Sequence, residues 1–157
     1  MPSTFEWNAL STALREVHAA LLARARRDFE REHGGLAAGE LLQAVTTDPA
    51  FAWLRTLSEL MVEVDEIRDA QPDVGTEAAG AVRALIERLV GGPGDDAHAP
   101  AFAHRYLGYL QDEPQVAIAH GHLKRTLATW PRAKGPVDRA RWLDEQRKRA
   151  RAARRMG

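Results

Sequence analysis

The sequence predicts an all-α protein, and three observations carry that prediction. Apolar residues recur at three- and four-residue steps through most of the chain. No stretch alternates polar and apolar with β-branched enrichment, so no sheet is expected. The breaks between apolar stripes are short and hold glycine and proline. Short connections favour antiparallel neighbours. The expected architecture is therefore an up-down four-helix bundle with broken second and fourth helices and a basic C-terminal helical tail. Residues 1–130 form the expected bundle domain, and residues 131–157 the tail.

The first helix is expected over residues 4–33. Ser3 and Glu6 fit a capping box, Leu10, Leu14, Val17, Leu21, Ala25 and Phe29 form one stripe, and Gly34-Gly35 stops it. A short amphipathic piece, Glu40 to Val45, leads to Asp48-Pro49, an N-cap followed by a residue preorganised for the first helical position. The helix behind it carries Phe51, Leu54, Leu57, Met61 and Val64, flanked by Trp53, Leu60 and Ile67, with Glu59, Glu63 and Glu66 opposite. Gln71-Pro72-Asp73 ends it. A third helix spans about Thr76 to Val90, with Ala78, Ala81 or Val82, Leu85 and Leu89 inward, and the loop Gly91-Gly-Pro-Gly-Asp-Asp96 follows. A fourth begins near Pro100, breaks at Asp112-Glu113-Pro114, resumes through Val116, His120, Leu123 and Leu127, and closes at Trp130-Pro131. A faint internal correspondence pairs the Pro49 and Pro114 breaks.

A chain of 157 residues suits one compact unit with a real core. With 45% hydrophobic and 28% charged residues, it reads as a folded globular protein. The absence of cysteine excludes disulfide frameworks, thiolate metal sites and cysteine nucleophiles. No charged-then-apolar leader and no membrane-length apolar run is seen, so the expectation is a bacterial cytoplasmic protein with no membrane partner. The formal net charge of zero conceals two opposed parts. Residues 1–130 hold 12 basic and 19 acidic side chains, a net of −7, whereas residues 131–157 hold 10 and 3, a net of +7.

Catalytic templates are missing. There is no phosphate-binding Gly-x-x-x-x-Gly-Lys-Ser/Thr loop, no Gly-x-Ser-x-Gly elbow and no dinucleotide fingerprint. Glu30-Arg-Glu-His33 has Glu-x-x-His spacing, but only once and at a helix end, so a di-iron centre is disfavoured. The best cofactor candidates are His18 and His120, both predicted to face the core. On facing helices, two such rings could ligate haem or a metal. A core histidine hydrogen-bonded to its neighbour is the commoner arrangement. The Arg-rich tail could instead hold nucleic-acid phosphates, although Trp142 is its only aromatic residue.

Asp48-Pro-Ala-Phe-Ala-Trp-Leu-Arg55, continuing through Leu57-Ser-Glu-Leu60 and Val64-Asp-Glu66, resembles a segment of small bacterial all-helical proteins to which no activity is attached. Ala119-His120-Gly121 with Leu123 is similar to a later segment of the same group. The resemblance implies the helical fold and leaves function open. The well-marked core, the segregated charge and the missing catalytic templates make the expected function non-enzymatic. It is protein–protein interaction, with a protein partner or a second copy of the chain, in a small regulator or stress-associated factor. The candidate contact residues are Arg139, Arg141, Trp142, Arg147 and Arg151 on the tail, with Glu59, Glu63, Asp65 and Glu66 on the acidic face. Haem or metal binding through His18 and His120, and nucleic-acid binding through the tail, are the alternatives.

Overall fold

A computed structural model of the chain describes residues 6–70, 75–91 and 100–157. Ser3 of the expected capping box, the Gln71-Pro72-Asp73 stop and residues 92–96 of the glycine-rich loop lie outside the described residues. Those described form seven α-helices and one 3-10 turn, with no strand. Among them, no helix is long and apolar enough to cross a membrane.

Helix α1 (Trp7–His33) buries Leu10, Leu14, Val17, Leu21, Ala25 and Phe29, the stripe read from the sequence, and stops at Gly34, whose φ of 82° suits glycine. Helix α2 (Ala38–Thr47) buries nothing fully and packs on the turn that follows. Asp48 caps that turn as expected, its carboxylate accepting from the Ala50 amide at 2.9 Å. The segment it caps, Pro49–Leu54, is 3-10 rather than α, and the α-helix begins only at α3 (Arg55–Ala70). The tighter winding directs Phe51, Trp53 and Leu54 inward together. Trp53 packs edge-on to Tyr109 and tilted on Phe102, and Phe51 tilted on Phe29, so this turn ties two helices to the core.

Helix α4 (Thr76–Val90) follows, then α5 (Pro100–Asp112) and α6 (Pro114–Ala128) on either side of the expected proline break. Helix α1 packs most extensively on α6. Glu16 meets His122 near one end of this seam, and Arg24 and Arg27 meet Glu113 at the other, so the two helices run antiparallel. Trp7 closes the far end against Trp130, edge to face at 4.8 Å between centroids.

The segment after α6 is strapped to α4. Gly80 lets the backbone of Arg132 and Ala133 approach so closely that a Cβ would sit 2.9 Å from the Arg132 carbonyl oxygen. Arg83, only 7% exposed, donates to the Trp130 carbonyl at 2.6 Å and to Glu87 at 2.8 Å. Arg88 donates to the Val137 carbonyl at 3.0 Å. This strap delivers helix α7 (Arg139–Met156), whose first turn is capped by the Asp138 carboxylate accepting from the Arg141 amide.

Candidate functional site

His18 and His120 are both half-buried, and a different helix holds each ring. His18 Nε2 lies 2.9 Å from Ser58 Oγ on α3, and His120 Nδ1 lies 2.6 Å from the Tyr106 hydroxyl on α5. Burial pushes both imidazoles below their ordinary pKa, helped at His120 by the Lys124 charge. Burial also pushes the enclosed Tyr106 phenol up, which keeps its proton available to a neutral His120. Glu16 and His122, 3.1 Å apart across the α1–α6 seam, stand two residues from His18 and His120 respectively. The His18 ring is held to α3 and the His120 ring to α5. Among the described residues, no three His, Asp or Glu side chains group as metal ligands.

The predicted contact residues divide differently. Asp65 turns away from the tail, accepting from Ser11 at 3.1 Å and pairing with Arg68 at 3.5 Å in the α1–α3 seam. Arg139 is half-buried against Glu63 at 2.8 Å, and Trp142 packs against the core. Leu143 and Gln146 are buried beside them, so the tail's first two turns are docked on α3. Arg141 faces solvent and pairs within its own helix, with Glu145 at 3.5 Å.

Beyond that dock, an open cavity of about 310 Å³ separates the two helices. Glu63 and Glu66 border it on α3, and Arg147, Arg151 and Arg154 border it on α7, over a floor of Ile67, Leu143 and Ala150. Gln146, 4% exposed, also lines it, and its amide oxygen is buried without a hydrogen-bond partner. A second, shallower depression continues along α3 past Glu59, Ser58 and Val62, sharing Glu63, Glu66 and Arg147 with the first. Val62, 56% exposed, is a large apolar side chain left in the open here. Together they make one mixed-charge groove, able to bind carboxylates on one wall and cations on the other.

Gln146 escaped the sequence reading, which took Arg154 only as one of the tail arginines. Arg154 had a signal, because residues 147, 151 and 154 repeat the helical spacing four then three, which puts them on one face. Gln146 had none, since its burial depends on where α7 crosses α3. Comparison with protein families, with curated proteins and with solved structures finds no match to this chain.

Proposed function

We propose that this chain is a non-enzymatic helical protein that works by binding a protein partner through the face formed by α3 and α7, as a small cytoplasmic regulator or stress-associated factor. The body is then best grouped as a four-helix bundle, with α2–α3 and α5–α6 as its two broken members. One observation supports the reading above the rest. Arg147, Arg151 and Arg154 share a flank of α7, and none makes an ion pair within 4.0 Å among the described residues. They stand on a helix already fixed by Leu143, Gln146 and the Arg139–Glu63 pair. A row of cations on a preordered helix meets a carboxylate row at the cost of side-chain ordering alone.

Nucleic acid fits this surface less well. Phosphates seated on the arginine row would lie beside Glu63 and Glu66, and the outer face of α7 adds Asp144 and Glu145. A ligand held between His18 and His120 fits less well too, because Ser58 and Tyr106 occupy the ring nitrogens named above.

The test is a binding titration of the full chain by fluorescence anisotropy. The probes are a synthetic helical peptide with glutamates at the four-then-three spacing and single- and double-stranded oligonucleotides of equal charge. The expected result is salt-sensitive binding of the peptide, weakened at least about tenfold in Arg147→Glu/Arg151→Glu/Arg154→Glu, and no binding of the oligonucleotides. Binding of oligonucleotides alone, or of neither probe, overturns the proposal.

A further inference from the structure

Two rows of opposite charge in this chain share one spacing. Glu59, Glu63 and Glu66 follow the four-then-three step on α3, and Arg147, Arg151 and Arg154 follow it on α7. Each row covers about 10 Å of helix at 1.5 Å per residue. Both border the same groove. Yet among the described residues only Glu63 of the six is ion-paired, and its partner is Arg139, which lies outside the arginine row. The two rows face a common space without closing on each other.

We infer that the groove is an interface with a second copy of this chain, in which the arginine row of each protomer lies on the glutamate row of the other. This rests on the reading of α3 and α7 as a protein-contact face and names the partner. The rise per residue supplies the first argument. Carboxylates on a helix at the same step match three guanidinium groups in register, which an extended strand at about 3.3 Å per residue does not. Symmetry supplies the second. Both rows border one groove, so a two-fold rotation that sets α3 against α7 of the partner also sets α7 against its α3, forming the contact twice. Charge supplies the third, because each protomer carries a formal net charge of zero and the two copies approach without net repulsion. The same contact would cover the exposed Val62 and bring guanidinium donors towards the unpartnered Gln146 amide oxygen.

The experiment is sedimentation of the full chain and of two charge-reversed variants. Glu59→Lys/Glu66→Lys leaves both rows basic, and Arg147→Glu/Arg151→Glu/Arg154→Glu leaves both acidic. Wild type is expected to be a dimer at low salt and to dissociate towards about 0.5 M salt, where the screening length is roughly 4 Å. Each variant alone is expected to be monomeric, and an equimolar mixture to form a heterodimer, because both contacts then join opposite charges. A monomeric wild type at low salt, variants that stay dimeric, or a mixture that stays monomeric overturns the inference. The salt series on the unaltered chain keeps it open to failure if a variant loses its helical circular dichroism. A monomer that still binds the acidic helical peptide overturns the second-copy inference and leaves the contact-face reading standing. A monomer that binds neither probe overturns both.

Discussion

The α1–α6 seam and the α3–α7 groove use the same side chains to different ends. Along the seam, charges are matched within the chain. Glu113 takes both Arg24 and Arg27, Asp28 takes Arg24 and the Tyr109 hydroxyl, and Glu16 takes His122. Asp28 and Glu113 in turn raise the Arg24 pKa, the electrostatic mark of a satisfied cluster. Along the groove, among the described residues, only Arg139–Glu63 closes as an ion pair, and the remaining charges border open space. The seam's helices run side by side, so successive turns keep finding partners. Helix α7 meets α3 over its first two turns, after which the open groove holds their facing charges apart. Charge content alone does not separate a closed surface from an open one. Length of contact does.

The largest expected effect tests whether the two regions are one cooperative unit. Leu57 is 0% exposed in the body, and Leu57→Ala should cost about 2–5 kcal/mol in urea unfolding, from lost burial plus the cavity left behind. Leu143 is 8% exposed and anchors α7. Leu143→Ala should leave the global transition less affected while amides of residues 139–156 lose hydrogen-exchange protection. Equal loss of global stability in both variants would erase the distinction between body and tail.

The next effect in size concerns the strap. A Cβ at Gly80 meets the Arg132 carbonyl oxygen at 2.9 Å and the Ala133 amide nitrogen at 3.0 Å, so backbone must move. Gly80→Ala should cost about 1–3 kcal/mol through that overpacking. It should also speed proteolysis between residues 131 and 138. Gly108 in α5 has nothing within 4 Å of the same position. Gly108→Ala should stabilise by about 0.5–1 kcal/mol, because helical alanine loses less backbone entropy. If both substitutions stabilise, α4 does not hold the strap and α7 owes its position to α3 alone.

Much of this was legible in the chain. The α1 stripe, the α4 limits and the Asp48-Pro49 and Glu113-Pro114 breaks follow from periodicity, capping and proline geometry, which are local. The burial of Arg83 and the need for glycine at position 80 were not legible, because both arise from a segment some fifty residues away lying across α4. Asp65 was legible but misgrouped: it shares α3 with Glu63 and Glu66, yet two residues beyond Glu63 turn it by roughly 200°, towards Ser11 on α1 and Arg68 one turn on. The matched spacing of the two charge rows was present in the sequence throughout. Its meaning required knowing that α3 and α7 border one groove.

The smallest expected effect separates body from groove by pH. His18 and His120 belong to the body, and burial lowers the pKa of both, with Lys124 adding to the effect at His120. A base with a lowered folded pKa binds fewer protons folded than unfolded. Its contribution to stability is therefore complete above the ordinary imidazole value of about 6.5 and is lost as pH falls below it. Urea midpoints should drop between pH 7.5 and 5.5, before most carboxylates titrate. His18→Gln keeps a hydrogen-bonding group near Ser58 and removes the titration, so its midpoint should fall less over the same interval. Guanidinium groups as a class stay charged throughout that range. The anisotropy titration with the acidic helical peptide should then change little while the body weakens. If peptide affinity instead tracks the loss of stability, the contact face depends on the core more closely than its docking through Leu143 and Glu63 implies. An unchanged urea midpoint in wild type would mean that burial does not depress these two imidazoles in the folded chain.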